Sequence, residues 1–261
     1  MAKICQLFSG SSGNSTYIGC GNGGILIDIG MSAKRVTQAL SDIEVDPCSL
    51  QGIFITHEHH DHVAGLRVFA ARHHIPVFGP EGSMIALEDG GHLCGVDGYI
   101  LDMPQIAVGD FCVSSFTTSH DTKASCGYRI TLPDGQAVAV CTDLGFVSEA
   151  VRQGITGCGT IVLESNHDVD MVKTGPYPYH LKERILSRRG HLSNDACAAE
   201  LPRLIEQGTT RLILAHLSKE NNIPMLAKRT ATATLKEYGI TENKDYILEV
   251  AMPCGNQPIY L

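Results

Sequence analysis

The chain has 261 residues, 43% hydrophobic and 18% charged, which is ordinary globular composition with enough apolar material for a sizeable core. A formal charge of −8 argues against a general nucleic-acid coating protein, but not against an enzyme that meets nucleic acid through bound cations. No apolar run attains the roughly 18 residues of a membrane span, and "MAKICQLFSGSSGNS" lacks the pattern of a secretory signal, so a cytoplasmic protein without membrane partners is expected.

The opening segments read as strands: "KICQLF" and "STYIG" flank the Gly/Ser loop "SGSSGN", and "GILIDIG" follows a turn at "GNGG". A helix is predicted over 32–41, with Ser32 as N-cap and Val36, Ala39 and Leu40 on one face. "QGIFIT" is a buried strand that ends at His57. "HVAGLRVFAARHH" then has a helical period, with Val63, Leu66, Phe69 and Ala70 on one side. Strands continue with "FCVSSFTT", "CGYRITL", "AVAVCTD" and "TIVLES", broken by the turn "PDG" at 133–135. The last third alternates: helices near 179–188 and from 194, strand "TRLILAH", helix 224–238 and strand "YILEVA". Pro202 should kink or split the helix that starts at 194, because it lacks an N–H. No repeat, low-complexity tract or linker-like shift interrupts residues 1–261, so one domain is expected, with two packed sheets and helices outside. The ten cysteines are scattered without a CxxC pair; they read as reduced thiols acting as small hydrophobes.

Chemistry concentrates in "FITHEHHDHVAG". Buried imidazoles and carboxylates without partners cost several kcal/mol each, so a plain core would not gather His57, His59, His60, Asp61 and His62 at one turn. In an extended segment His57 and His59 point to the same side, while Asp61 and His62 come where the chain must turn. This order of ligand-type residues reads as a metal site, with His60 facing away. Four ligands do not complete two ions, and the rest should come from other strand ends. His120 after "SSFTTS", Asp143 after "AVAVCT" and His216 after "RLILA" are ligand-type residues in such places.

"THEHHDH", "TSHD", "CTDLG" and "LAHLS" resemble the successive ligand motifs of the metallo-β-lactamase fold superfamily. "SGSSGNS" and "RGHLSN" resemble its YycJ (WalJ) exonuclease group. The resemblance spans about residues 3 to 250 and implies an α/β, four-layer αββα sandwich with two mixed sheets flanked by helices. It further implies that His57, His59 and His120 bind one metal, that Asp61, His62 and His216 bind a second, and that Asp143 bridges them. Asp28, ending "GILID", would orient a ligand histidine, as outer carboxylates do.

Ligands without thiolate suit two divalent ions such as Zn²⁺ or Mn²⁺, or Fe. Such a pair can activate a bridging hydroxide and clamp both sides of a displacement, which is hydrolytic machinery with Asp61 and Asp143 at its centre. His59 stands where the redox-active flavodiiron relatives have an acidic residue, which argues against electron transfer. Substrate features lie outside the ligand set. Ser193 is a good N-cap beside His191, and a helix N-terminus attracts phosphate. Ser11, Ser12 and Asn14 of the Gly/Ser loop could offer amides to an anion. Lys182, Arg184, Arg188 and Arg189 form a basic cluster, with Arg188 and Arg189 adjoining His191; the plain alternative is a solvated helix face. His191 is expected to touch the scissile phosphate or to act as an acid, and otherwise to pack at the helix start. Glu164 is a candidate outer or proton-handling carboxylate, or else structural. Tyr177 and Tyr179 could stack bases, although the prolines beside them favour a rigid loop.

The resemblance thus implies a dinuclear phosphodiesterase on nucleic acid, a 5′ to 3′ DNA exonuclease ahead of an RNA nuclease. "GYRI" after His120 keeps a ribonuclease Z-like activity open, and the third reading is a thioester or lactone hydrolase of the same fold. No insertion long enough to cap the site fits between the motifs, so an open groove is expected.

Overall fold

In the computed structural model, which describes residues 1–21 and 23–261, the chain starts with β1 (Ala2–Phe8), β2 (Ser15–Cys20) and β3 (Gly23–Ile27). The turn expected at "GNGG" includes Asn22 and so lies partly outside the described residues. Then come α1 (Ala33–Asp42), β4 (Leu50–Phe54), α2 (His60–Val63), α3 (Leu66–His73), β5 (Val77–Gly79), α4 (Glu81–Asp89) and β6 (Gly98–Ile100). The second half runs β7 (Ile106–Val108), β8 (Phe111–Thr117), β9 (Cys126–Thr131), β10 (Ala137–Cys141), α5 (Glu149–Ile155) and β11 (Thr160–Glu164). It continues with α6 (Val169–Thr174), α7 (Tyr179–Leu186), α8 (Asn194–Glu206), β12 (Arg211–Ala215), α9 (Pro224–Glu237), β13 (Ile247–Val250) and β14 (Ile259–Tyr260).

Among the described residues the strands form two seven-stranded sheets, ordered β14-β1-β2-β3-β4-β5-β6 and β13-β12-β11-β10-β9-β8-β7. Both are mixed. The first is antiparallel from β14 to β3 and parallel from β3 to β6; the second is antiparallel from β7 to β10 and parallel from β10 to β13. Side-chain alternation explains the layering. Ile25, Ile27, Val138, Val140, Val162 and Ile213 share the apolar layer between the sheets. Their neighbours in register turn outward: Leu26 packs under α1 and α3 with Val36, Leu40 and Phe69, and Ile161, Leu163, Leu212 and Leu214 pack under α8 and α9 with Leu201, Ala231 and Leu235. Tyr128 crosses the middle layer, and its hydroxyl donates to the Ile55 carbonyl at 2.6 Å, so its one polar atom is satisfied. The expected αββα sandwich is the fold observed, and all ten cysteines are free thiols. No helix among the described residues is long and apolar enough to cross a membrane.

Three local expectations need correction. Ser32 takes the N-cap position of α1, but its side chain makes no cap hydrogen bond. The helical period from 62 to 74 is carried by two pieces, α2 and α3, because the chain presses against its neighbour at Gly65. The Gly65 amide donates to the Ile29 carbonyl at 3.0 Å, and a Cβ there would overlap the Met31 carbonyl. Pro202 does not split α8, which runs unbroken from Asn194 to Glu206 with Pro202 buried inside it. The missing amide bond is outweighed by apolar contact around Leu201 and Leu204. Segments that the sequence left unassigned, among them β5, α4, β6 and α6, are short elements in which periodicity has little room to show.

The tightest approach in the first half lies at Gly30. Its amide donates to the Asn14 carbonyl at 2.8 Å, and the Asn14 amide donates to the Asp61 carbonyl at 2.8 Å. A Cβ on residue 30 would overlap that Asp61 carbonyl. Gly30→Ala should therefore push the Asp61 turn outward and destabilise the fold by about 1–3 kcal/mol, the usual cost of overpacking. Thermal unfolding of the variant beside the parent protein measures this.

Candidate metal centre

The ligand-type residues predicted from sequence meet at the ends of strands from both sheets. His57 and His59 follow β4, Asp61 and His62 lie in α2, His120 follows β8, Asp143 follows β10 and His216 follows β12. Three site residues carry left-handed backbone: Asp28 at φ 61°, Asp143 at 59° and His216 at 57°. For residues other than glycine this conformation costs about 1–3 kcal/mol and persists only where the surroundings enforce it. Here it turns Asp143 and His216 toward one hollow and Asp28 onto Thr56 and His62 behind it.

The histidines are aimed by what holds their Nδ1 atoms, and tautomers follow from those partners. His62 Nδ1 donates to Asp28 Oδ2 at 2.8 Å. His57 Nδ1 donates to the Thr56 hydroxyl at 3.0 Å, which in turn donates to Asp28 Oδ2 at 2.8 Å. His120 Nδ1 donates to the Gly190 carbonyl at 3.0 Å. His216 Nδ1 donates to Glu164 Oε1 at 2.9 Å. With Nδ1 occupied in all four, each Nε2 lone pair turns inward. Asp28 thus steadies two histidines, one directly and one through Thr56, whose part sequence reasoning missed.

The inward atoms form two groups with Asp143 between them. His57, His59 and His120 bring one ligand atom each within 4.8 Å of one another, as do Asp61, His62 and His216. Asp143 Oδ1 lies 3.7 Å from His120 Nε2, and Asp143 Oδ2 lies 3.3 Å from His62 Nε2. Asp61 Oδ2 is 3.6 Å from His62 Nε2 and 3.9 Å from His216 Nε2. His57 Nε2, His216 Nε2 and Asp143 Oδ2 are buried and have no hydrogen-bond partner. Orphaned lone pairs of this kind are costly, and several facing one hollow are what a divalent cation would satisfy. The electrostatics agree. Burial, with His62 nearby, holds His57 well below the usual imidazole range and therefore neutral; burial also lowers His120. Burial alone would raise Asp143, but His216 and His62 outweigh it and keep the carboxyl well below its usual range. Burial likewise works against charge on His216, yet the Asp143 and Glu164 carboxylates pull it up to about 9; the field that holds a proton there would also hold a cation.

One contact competes with that arrangement. The Asn14 amide nitrogen sits 3.0 Å from His62 Nε2 and 3.4 Å from Asp61 Oδ2, so it must turn fully to Asp61 for His62 to ligate. Asn14, expected as a substrate contact, lies against these two residues and does not line the pocket. The loop before it is also closed on itself: the Gly10 amide is taken by Asn14 Oδ1 at 2.9 Å and the Gly13 amide by the Gly10 carbonyl at 2.9 Å. Ser9 accepts the His216 amide at 2.8 Å. Of the expected loop contacts, Ser11 lines the pocket and Ser12 does not.

Glu164 is fully buried at the end of β11. Its Oε1 accepts from His191 Nδ1 at 2.8 Å as well as from His216, and its Oε2 accepts from the Leu144 and Leu192 amides at 3.0 Å each. Four donors commit this carboxylate to hydrogen bonding and leave it poorly suited to ligate a metal. Burial would raise its pKa, but His191 and then His216 overcome that and bring it down to about 2. His191, with its side chain 18% exposed, keeps Nε2 free in the pocket. Glu164→Gln keeps the volume but has one acceptor oxygen where the carboxylate uses two, so either the imidazoles of His191 and His216 or the amides of Leu144 and Leu192 lose their acceptor. A loss of about 10–100-fold in turnover or metal affinity is expected, the usual effect of disturbing an outer partner, and paired rate and metal-content measurements check it.

The pocket over this centre measures about 240 Å³ and is lined by Ser11, His59, Asp61, His120, Asp143 and His191, with Asn166, Tyr177, Leu181, Arg184, Ile185, His216 and Ser218 completing the wall. Besides Ser12 and Asn14, three more expected substrate contacts are absent from it. Ser193 caps α8 by accepting from the Ala196 amide at 3.1 Å, and the helix start is tied to His167, whose carbonyl accepts the Asn194 amide at 2.8 Å. Arg188 lies over the Phe146 ring at 3.9 Å. Arg189 donates to the His120 carbonyl at 3.3–3.4 Å. His60 is exposed, as expected. His167 is buried and pushed down to about 4 by that burial. Glu58, inside the histidine motif, was not singled out by sequence. It accepts from the Ser83 hydroxyl at 2.6 Å and the Lys123 amide at 2.8 Å, bracing the loop after His120.

Comparison with known proteins gives the family. The sequence model of the family described as "Beta-lactamase superfamily domain" matches residues 24–217. The exodeoxyribonuclease WalJ of Streptococcus pneumoniae serotype 2 (strain D39 / NCTC 7466) is 36% identical over 261 residues, covering 98% of this chain and 97% of that protein. The exodeoxyribonuclease YycJ of Bacillus anthracis is 36% identical over 238 residues, covering 89% of each. Among solved structures, the metallo-β-lactamase fold protein YhfI from Bacillus subtilis superposes with a TM-score of 0.73 at 15% identity, covering 98% of this chain and 99% of that one. At that identity the likeness speaks for the fold alone.

Proposed function

The chain belongs to the metallo-β-lactamase superfamily, and from that premise we propose that it is a metal-dependent hydrolase acting as a DNA exonuclease. The observation that carries this reading is the pair of ligand groups about Asp143, open to a pocket that also presents His191 and Arg184. The names of the full-length relatives supply DNA as the substrate. We assign the first ion to His57, His59 and His120, the second to Asp61, His62 and His216, and Asp143 to both; nitrogen and oxygen donors without thiolate favour Zn²⁺ or Mn²⁺. When bound, two such ions supply an activated water and neutralise charge on the phosphate undergoing displacement.

The chain's own residues do the rest. Asp28 and Glu164 fix the ligand rings. Glu164 also holds His191 Nδ1, so that Nε2 faces the pocket, where it can give a proton to the departing sugar oxygen, a step usually worth about 10²–10⁴-fold. The 5′ to 3′ direction belongs to the same proposal and rests on the resemblance.

An RNA nuclease draws no support from "GYRI". Tyr128 and Ile130 are buried in the middle layer, and Arg129 donates to the Thr156 carbonyl at 2.6 Å, so the segment serves packing. Incubating metal-loaded protein with end-labelled single- and double-stranded DNA and RNA over a salt series tests the reading, with Asp61→Ala excluding a contaminating nuclease. Cleavage of DNA that weakens steeply with salt supports it, because phosphate contacts release counterions. Salt-independent turnover of a thioester or lactone with DNA left intact contradicts it.

A further inference from the structure

The pocket wall formed by residues 177–185 is not required to hold a metal, yet it presents Tyr177, Leu181, Arg184 and Ile185 to the same hollow. Positions 181, 184 and 185 fall on one face of α7 by helical spacing. Tyr179, Lys182 and Leu186 line a separate surface hollow with Lys173. Of the basic cluster, only Arg184 brings its guanidinium to the pocket: Lys182 donates to the Lys173 carbonyl at 2.8 Å, Arg188 is stacked on Phe146 and Arg189 is tied to the His120 carbonyl.

Arg184 is braced for a task. Its Nε meets Asp121 Oδ2 at 2.5 Å and its Nη2 meets Asp121 Oδ1 at 3.1 Å, a two-point pairing. Asp121 Oδ1 is in turn 3.4 Å from His120 Nε2, so the guanidinium is fixed beside the ligand groups. Nη1 has no protein partner among the hydrogen bonds of the described residues, and a planar guanidinium paired on one edge can take an anion on the other. Tyr177 is half-buried at the same wall, unlike Tyr179, which is 75% exposed. The hollow is small as well, about 240 Å³, below the roughly 300 Å³ at which small-ligand clefts begin.

We propose that residues 177–185 form a subsite for the terminal nucleotide of single-stranded DNA, in which Arg184, positioned by Asp121, holds a phosphate oxygen and Tyr177 stacks on the base. This rests on the nuclease reading above and adds to it the groups that select an end and release single nucleotides. The test is steady-state hydrolysis of single-stranded DNA by Tyr177→Ala, Tyr177→Phe, Arg184→Ala and Arg184→Lys proteins, with metal content measured throughout. Tyr177→Ala should raise KM about tenfold, the scale of one lost base stack, and Tyr177→Phe should restore it. The penalty should shrink to about twofold or less on a strand whose terminal nucleotides lack bases. Arg184→Ala should raise KM more than it lowers kcat and reduce the salt slope by about 1. Arg184→Lys should recover the slope but only part of the affinity. Wild-type cleavage of DNA with an unchanged KM in both alanine variants overturns the subsite and leaves the nuclease reading standing, as does an equal Tyr177→Ala penalty on normal and abasic ends. A fully metal-loaded wild type that is inert on DNA overturns the nuclease reading and the subsite with it.

Discussion

Asp143→Ala is expected to lose more than about 10³-fold in DNA hydrolysis, together with most of its bound divalent metal. Asp143 is the one side chain that reaches both ligand groups, with Oδ1 3.7 Å from His120 Nε2 and Oδ2 3.3 Å from His62 Nε2. It is also buried, and Oδ2 has no hydrogen-bond partner. Without it the imidazoles would face one another with no carboxylate between them, and like-charge repulsion would oppose any pair of ions. The backbone at residue 143 is left-handed, which asparagine tolerates better than most residues. Asp143→Asn is therefore the milder companion, separating loss of charge from loss of shape. Metal analysis by plasma mass spectrometry beside turnover measures both. An Asp143→Ala protein with full metal content and parental activity contradicts the assignment.

His191→Ala should behave differently: turnover falls by about 10²–10⁴-fold while metal content is retained. The ring is not among the residues assigned to the two ions; it clusters with Asp143, Glu164 and His216, but its Nδ1 is spent on Glu164 at 2.8 Å, and that carboxylate is itself taken up by four donors. The variant frees one of four donors on Glu164 and leaves His216 held at 2.9 Å. Equal loss of metal and activity would mean that His191 is needed to build the centre, and the acid role would fall.

The sheet ends and the convergence of the ligand-type residues were legible because each signal was local. Ala137–Cys141 is a continuous apolar run, as a strand buried on both faces must be, and Asp143 stands just past its end. The order of His57, His59, Asp61 and His62 depends on one short turn. What depended on three-dimensional approach was hidden. Nothing in "SGSSGN" announces that the Asn14 amide reaches across the chain to lie 3.0 Å from His62 Nε2 and 3.4 Å from Asp61 Oδ2. Arg188 and Arg189 looked as available as Arg184 until Phe146 and the His120 carbonyl claimed them. The left-handed conformations of Asp28, Asp143 and His216 leave no mark in composition or period, since the surrounding fold imposes them. Glu164 was visible as a carboxylate ending an apolar run, but its four donors come from three separate segments.

The most direct test follows 5′-end-labelled single-stranded DNA through incubation with metal-stripped protein and with the same protein reloaded with Zn²⁺ or Mn²⁺. The expected result is labelled mononucleotide as the first product of the reloaded protein, with the stripped protein and reloaded Asp61→Ala inert. Intact DNA after incubation with fully loaded protein, or equal cleavage with and without metal, would contradict a metal-dependent exonuclease at this centre.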